Sequence, residues 1–122
     1  MRKSILTILL MCILFVVAAN VTNGSSVNNG KTFIYLYLDN CTYCKQFAKN
    51  YNKLEKTYKK TCKFVKIPAI SRAGMEISMN LGIVSVPFVL IIDNDKKRIT
   101  SIDQNCIMDY ACLEKEFLVK IK

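Results

Sequence analysis

Two cysteines separated by two residues, Cys41 and Cys44, lie between a predicted strand and a predicted helix, and this placement constrains the fold more than any other feature. Residues 32–38 form an apolar run rich in β-branched and aromatic side chains, which is typical of a strand buried on both faces. Residues 42–60 carry apolar side chains at helical spacing, which predicts an amphipathic helix. The apolar positions of this helix are Phe47, Tyr51, Leu54 and Tyr58.

The position of the cysteine pair at a helix N-terminus has chemical consequences. Unpaired N–H groups and the positive end of the helix dipole stabilise a thiolate there, so we expect Cys41 to be a nucleophile near neutral pH. Cys44 follows one turn later and can attack the mixed disulfide, which releases the product. The chain contains no histidine. This excludes Ser-His-Asp and Cys-His catalysis and histidine metal ligands, and it leaves thiols as the main reactive groups.

The rest of the chain alternates predicted strands and helices. Strands are predicted at residues 63–67, 88–92 and 98–102, and helices at residues 73–81 and 108–121. Turn-forming residues at 93–96 separate the last two strands, so we expect a hairpin there. The order β-α-β-α-β-β-α predicts an α/β three-layer sandwich, with a four-stranded mixed sheet and helices on both faces.

The residues before the predicted domain indicate export. A basic start is followed by an apolar run at residues 5–19, which is typical of a signal peptide cleaved after Ala19. Residues 20–31 are interpreted as a polar linker and residues 32–122 as the domain. We therefore expect a periplasmic, secreted or ER-lumenal protein, in a compartment where disulfides persist. If the signal is not cleaved, residues 5–19 anchor the chain in a membrane.

The strand, the C-x-x-C motif, the long helix and a Val86-Pro87 dipeptide ahead of a hairpin resemble the thioredoxin superfamily over residues 32–122. The resemblance implies a thioredoxin-like fold and thiol-disulfide exchange, with Cys41 and Cys44 as the catalytic residues. It also implies a cis peptide bond before Pro87 and backbone hydrogen bonds from Val86 to an extended substrate.

Around the motif the sequence departs from the reducing members of that family. Thr42 and Tyr43 replace their Gly-Pro dipeptide. Tyr35 occupies the position of the buried aspartate that assists proton transfer in those proteins. Lys66 matches the lysine that accompanies this aspartate, and Asp39 is the nearest carboxylate. Lys66 and Asp39 are therefore the candidate proton-transfer residues.

Three further cysteines follow the motif, at Cys62, Cys106 and Cys112. Zinc bound by the last two together with the C-x-x-C pair is disfavoured, because structural zinc sites use more closely spaced pairs than Cys106 and Cys112. Those two residues either form a structural disulfide, which requires Cys106 to precede the last helix, or are independent core residues. Cys62 is interpreted as a small buried apolar residue. We expect neither a metal nor a cofactor.

Eighteen basic residues against nine acidic ones give the chain a net charge of +9. Lysines cluster on the polar face of the first helix and at its exit, at Lys53, Lys56, Lys59, Lys60 and Lys63. No arginine-aromatic stripe accompanies them, so a solvated helix face is favoured over nucleic acid binding. Attraction to anionic membrane surfaces or acidic client proteins is a weaker alternative.

The sequence predicts an exported thiol-disulfide oxidoreductase that acts on client proteins with cysteines or disulfides and exchanges electrons with a redox partner protein. We expect a monomer whose client lies along the Val86-Pro87 edge. Whether the protein oxidises, reduces or isomerises its clients is left open. The alternative is a non-enzymatic interaction or transport-accessory module on the same fold, in which a Cys41–Cys44 disulfide is structural.

Overall fold

Four strands and three helices make up the part of the chain that the computed structural model describes, residues 30–122. The strands are β1 (Lys31–Tyr37), β2 (Lys63–Pro68), β3 (Phe88–Asp93) and β4 (Arg98–Ser101), and the helices are α1 (Thr42–Tyr58), α2 (Arg72–Leu81) and α3 (Tyr110–Lys120). The predicted signal peptide and nearly all of the predicted linker lie outside the described residues. No helix within residues 30–122 is long and apolar enough to cross a membrane.

The strands form one mixed sheet in the order β2-β1-β3-β4. β1 pairs in parallel with β2, because α1 carries the chain back across the sheet between them. β1 pairs antiparallel with β3, and β3 forms an antiparallel hairpin with β4. The predicted order of elements and the predicted mixed sheet are thereby confirmed.

Alternate side chains of β1 point to opposite faces of the sheet and enter two separate cores. On one face, Phe33 and Tyr35 pack with side chains of α1 and with Phe117 of α3. On the other face, Ile34 belongs to a smaller core against which Ile77 of α2 packs. The helices therefore cover both faces of the sheet, as the predicted three-layer sandwich requires.

The ends of several elements differ from the predictions by one or two residues. β1 begins at Lys31 rather than at residue 32, because Lys31 pairs with Asp93 of β3 and is 8% exposed. α3 begins at Tyr110 rather than at residue 108, because Asp109 caps it by accepting a hydrogen bond from the backbone N–H of Ala111 at 3.1 Å. The other elements begin and end within two residues of their predicted bounds.

Candidate active site

Cys41 is the N-cap residue of α1 and ends the loop that follows β1. Its backbone is extended, and its Sγ accepts a hydrogen bond from the backbone N–H of Cys44 at 3.1 Å. The side-chain oxygens of serine, threonine, aspartate and asparagine are the preferred acceptors at this position, so a sulfur here takes the place of the capping oxygen. The site therefore begins with a sulfur held at the positive end of a helix dipole.

The two cysteines of the motif are joined in a disulfide, and their Cα atoms are 5.1 Å apart. Their sulfurs differ in accessibility. Cys44 is 3% exposed and belongs to the core beneath α1, whereas Cys41 is partly exposed at the edge of that core. A reactant in solution therefore meets Cys41 first. This arrangement fits an attacking Cys41 and a resolving Cys44.

The Val86-Pro87 dipeptide lies beside the cysteine pair, although Val86 and Cys41 are 45 residues apart in the chain. The carbonyl oxygen of Val86 is 3.8 Å from Cys41 Sγ, and the Val86–Pro87 peptide bond is cis. Both residues are half-buried, and Val86 packs against the cores on both faces of the sheet. The fold thus brings the two cysteines and the dipeptide to one place on the surface.

Tyr35 of β1 is linked to the cysteine pair by a hydrogen bond that its place in a predicted buried strand does not indicate. Its hydroxyl donates to the backbone carbonyl of Cys44 at 2.9 Å, and the side chain is 2% exposed. Burial, with a smaller contribution from Tyr37, raises the pKa of Tyr35 to about 12. The hydroxyl therefore stays protonated at neutral pH and acts as a donor. The signal in the sequence is a buried aromatic residue with a polar end that needs a partner.

Both candidate proton-transfer residues, Asp39 and Lys66, line a groove of about 240 Å³ that opens beside Cys44. Asp39 is exposed, and Lys66 Nζ lies 5.1 Å from the centre of the Tyr37 ring. An ammonium group in this position is attracted by the face of the ring. The fold places both residues near the buried cysteine, and their role in proton transfer stays a prediction.

A larger cavity, of about 630 Å³, lies at the opposite end of the sheet. Charged residues at the strand ends line it, among them Lys31, Asp93 and Asp95, together with the last residues of the chain. It contains no cysteine. Of these two cavities, the smaller groove is the one that a cysteine lines, through Cys44.

Among the other cysteines of residues 30–122, Cys62 and Cys106 are buried and Cys112 is half-buried. Cys106, in the turn before α3, forms a disulfide with Cys112 inside that helix, and their Cα atoms are 5.2 Å apart. Cys62 is unpaired and 1% exposed, and burial raises the pKa of its thiol to about 11. A buried, protonated thiol is a poor nucleophile. Within residues 30–122, no three side chains of histidine, cysteine, aspartate or glutamate are placed to hold a metal ion.

A family model described as Thioredoxin matches residues 15–109 of the chain. The match covers most of the sequence and ends just before α3. Comparison with curated proteins gives no significant match.

Solved structures with a similar fold include thioredoxins from several organisms. The J-Trx1 fragment of ERdj5 aligns with a TM-score of 0.63 and 14% identity, over 80% of this chain and 45% of that one. A thioredoxin from Trypanosoma brucei brucei aligns with a TM-score of 0.59 and 17% identity, over 84% of each chain. The oxidised thioredoxin from Plasmodium falciparum aligns with a TM-score of 0.56 and 20% identity, over 77% of this chain and 84% of that one. The chain spans less than half of the ERdj5 fragment, and the likeness to all three is one of fold.

Proposed function

The chain belongs to the thioredoxin family, and we propose that it is a thiol-disulfide oxidoreductase that exchanges disulfides with exported client proteins through Cys41 and Cys44. A thioredoxin domain whose C-x-x-C pair lies at disulfide distance supports thiol-disulfide redox chemistry. The observation that carries the proposal is the contact between Cys41 Sγ and the N–H of Cys44 at the exposed start of α1. When the disulfide opens, that N–H and the helix dipole stabilise the Cys41 thiolate.

In the reducing direction the exchange has two steps. The Cys41 thiolate attacks one sulfur of a client disulfide, the client S–S bond breaks, and the departing client thiolate takes up a proton. Cys44 then loses its proton and attacks Cys41 Sγ, which releases the second client thiolate and closes the Cys41–Cys44 disulfide. The client gains two electrons and the cysteine pair loses two. Oxidation of a client is the reverse sequence, and a redox partner protein resets the pair.

Val86 and Pro87 form the proposed edge along which the client lies. Because the carbonyl oxygen of Val86 is 3.8 Å from Cys41 Sγ, an extended segment that pairs with the backbone of Val86 brings its own sulfur to Cys41. Tyr43, between the two cysteines, is 64% exposed and offers an aromatic surface to the same segment.

Export of the protein, and therefore of its clients, is proposed from the apolar run at residues 5–19 and the small residues that end it. Sequencing the N-terminus of the protein isolated from its native source tests this step. We expect Asn20 as the first residue. A retained Met1 would contradict cleavage and favour the form anchored in a membrane.

Reduction of insulin disulfides in the presence of dithiothreitol tests the activity. We expect the wild-type protein to catalyse the reaction and Cys41→Ser to lose that catalysis. Cys62→Ser is the matched control, because it also replaces one cysteine, but at a buried position that takes no part in the pair. Full activity in Cys41→Ser would refute the mechanism.

The redox potential of the Cys41–Cys44 couple separates an exchange enzyme from the non-enzymatic alternative. We expect a value between about −270 and −120 mV, the range of thiol-disulfide exchange proteins. A value well below about −300 mV is characteristic of structural disulfides. That result would favour an interaction or transport-accessory module in which the bond only holds the start of α1.

A further inference from the structure

The net charge of the described residues is concentrated in one stretch of the chain. Residues 42–66, from the start of α1 into β2, contain eight lysines and a single acidic residue, Glu55. Residues 67–122 contain seven basic and seven acidic residues. The net positive charge of the folded domain therefore lies on α1 and its exit, and the rest of the domain is balanced.

Four of these lysines form a single row along α1, which we call the lysine row: Lys45, Lys49, Lys53 and Lys56. Their spacing places them within roughly 80° of the helix circumference and over a length of about 16 Å. All four side chains are exposed. The row begins at the residue after Cys44, so one of its ends adjoins the cysteine pair.

The charge of the lysine row is not neutralised by other described residues. Like charges four residues apart on a helix repel, and Lys45 lies in the first turn of α1, which has no acidic residue to offset the dipole. The carboxylate of Glu55 accepts a hydrogen bond from the Tyr51 hydroxyl at 3.1 Å. The ion pair found among residues 30–122 joins Lys120 to Glu116 on α3. Lys53 Nζ lies 4.1 Å from the centre of the Tyr110 ring, a contact that leaves its positive charge without a carboxylate partner. The row is therefore available to an external anion.

We propose that the lysine row is a docking surface for an acidic segment of the client polypeptide, an inference that rests on the proposed exchange activity. The length of the row matches about five residues of extended chain. Because the row ends beside Cys44, a segment bound along it continues toward the partly exposed Cys41. Lysines act here as point charges that attract carboxylates and speed association, and added salt weakens this effect.

An acidic polypeptide fits the lysine row better than a nucleic acid or a membrane does. Recognition of nucleic acid commonly uses arginine, and residues 42–66 contain none. A lipid surface contacts a broad face of a domain, whereas this row is narrow and the charge of residues 67–122 is balanced. Continuity with the cysteine pair is useful only to a partner that must bring a sulfur to Cys41.

Three disulfide-bonded peptides of equal length test the proposal. They differ only in the segment beside the cysteine, which is all aspartate, all serine or all lysine. With dithiothreitol as the reductant and at low ionic strength, we expect the wild-type protein to reduce the aspartate peptide with a kcat/KM about tenfold higher than that for the lysine peptide. The ratio should fall toward one as salt is added.

Two double variants test whether the preference for the aspartate peptide comes from the lysine row. Lys49→Glu/Lys56→Glu reverses two charges of the lysine row, so it should abolish the preference for the aspartate peptide and leave the rate on the serine peptide unchanged. Lys115→Glu/Lys122→Glu is the matched control, because it makes the same change in net charge outside the row. The control should keep the preference.

Equal rates on the three peptides would overturn the proposal that the lysine row is a docking surface. The same loss of preference for the aspartate peptide in both double variants would also overturn it. Neither result would affect the exchange activity, which the serine peptide reports by itself. If the wild-type protein catalyses neither reduction of these peptides nor oxidation of their dithiol forms, the proposed function fails. Binding of a cysteine-free aspartate peptide, measured by fluorescence anisotropy, then decides the role of the row. Row-dependent binding to vesicles of anionic lipid without a preference for the aspartate peptide would also overturn the proposal.

Discussion

The two disulfides of the domain have similar Cα separations and different surroundings. Their Cα atoms are 5.1 Å apart in Cys41–Cys44 and 5.2 Å apart in Cys106–Cys112, and each disulfide lies at the start of a helix. They differ in the group that caps the helix. At the start of α1, the sulfur of Cys41 accepts a hydrogen bond from the backbone N–H of Cys44. At the start of α3, the carboxylate of Asp109 accepts one from the backbone N–H of Ala111.

This difference in capping favours a different role for each disulfide. The carboxylate of Asp109 satisfies the N-terminus of α3 whether the second disulfide is open or closed, so the helix gives no advantage to a thiolate there. At α1 an opened disulfide leaves the Cys41 thiolate at the N-cap, where the helix stabilises it. Cys106 is also buried, whereas Cys41 is partly exposed. The first bond is suited to exchange, and the second to holding the loop before α3.

The largest expected contrast is between Cys44→Ser and Cys112→Ser. Cys44→Ser removes the resolving thiol, so the mixed disulfide between Cys41 and a client persists and turnover falls by about two orders of magnitude or more. Cys112→Ser leaves the motif intact and should not change turnover per folded molecule. Mass spectrometry after incubation with insulin should detect a client adduct on Cys44→Ser. An adduct of equal yield on Cys112→Ser would contradict the assignment of exchange to the first disulfide alone.

Loss of the second disulfide should reduce stability while leaving catalysis unchanged. Cys106→Ala/Cys112→Ala opens a loop with a sequence separation of 6, and loop-closure entropy assigns such a bond about 2 kcal/mol of the free energy of unfolding. Urea denaturation of the oxidised protein measures this change, and insulin reduction by the folded variant supplies the comparison. A folded double variant with reduced turnover would show that the second bond takes part in exchange.

Local patterns of the sequence predict the elements that frame the first disulfide. Residues 32–38 are recognisable as a strand buried on both faces because apolar side chains continue through them almost without interruption. The N-cap position of Cys41 is predictable because the turn-forming residues Asp39 and Asn40 precede it. The helical spacing of the aromatic residues that follow then identifies α1 and the face that it buries.

Contacts across the sheet could not be predicted from such local patterns. Lys31 extends β1 because Asp93 of β3 lies opposite it, although lysine and aspartate are both disfavoured in buried strands. The hydrogen bond from Tyr35 to the carbonyl of Cys44 depends on how α1 packs over β1, which is a property of the assembled fold.

Tyr35→Phe tests a contact that the first disulfide has and the second lacks, the hydrogen bond from Tyr35 to the carbonyl of Cys44. The substitution keeps the buried ring and removes the donor to the carbonyl of Cys44, so we expect the free energy of unfolding to fall by about 1 kcal/mol. Tyr37→Phe is the matched control on the same strand, at a half-buried position, and should change stability less. Urea denaturation measures both. Equal losses in the two variants would assign the effect to the tyrosines in general rather than to the bond with Cys44.

The last prediction concerns Cys62, which belongs to neither disulfide and acts only at alkaline pH. Burial raises the pKa of its thiol from 9.0 to about 11 in the folded protein. In that interval the unfolded chain has lost the proton while the folded chain keeps it. The contribution of Cys62 to the free energy of unfolding is therefore complete below pH 9 and is lost as the pH rises toward 11.

Urea denaturation of the wild-type protein and of Cys62→Ala across this pH interval measures the contribution of the thiol. The decline of stability with pH should be shallower in Cys62→Ala, whatever the stability of the variant at neutral pH, because the slope depends only on proton binding. Tyr35→Phe is the comparison, since the pKa of Tyr35 is raised from 10.0 to about 12 and its contribution is lost at higher pH. Identical slopes for the wild-type protein and Cys62→Ala would mean that the Cys62 thiol ionises as readily in the folded chain as in the unfolded one.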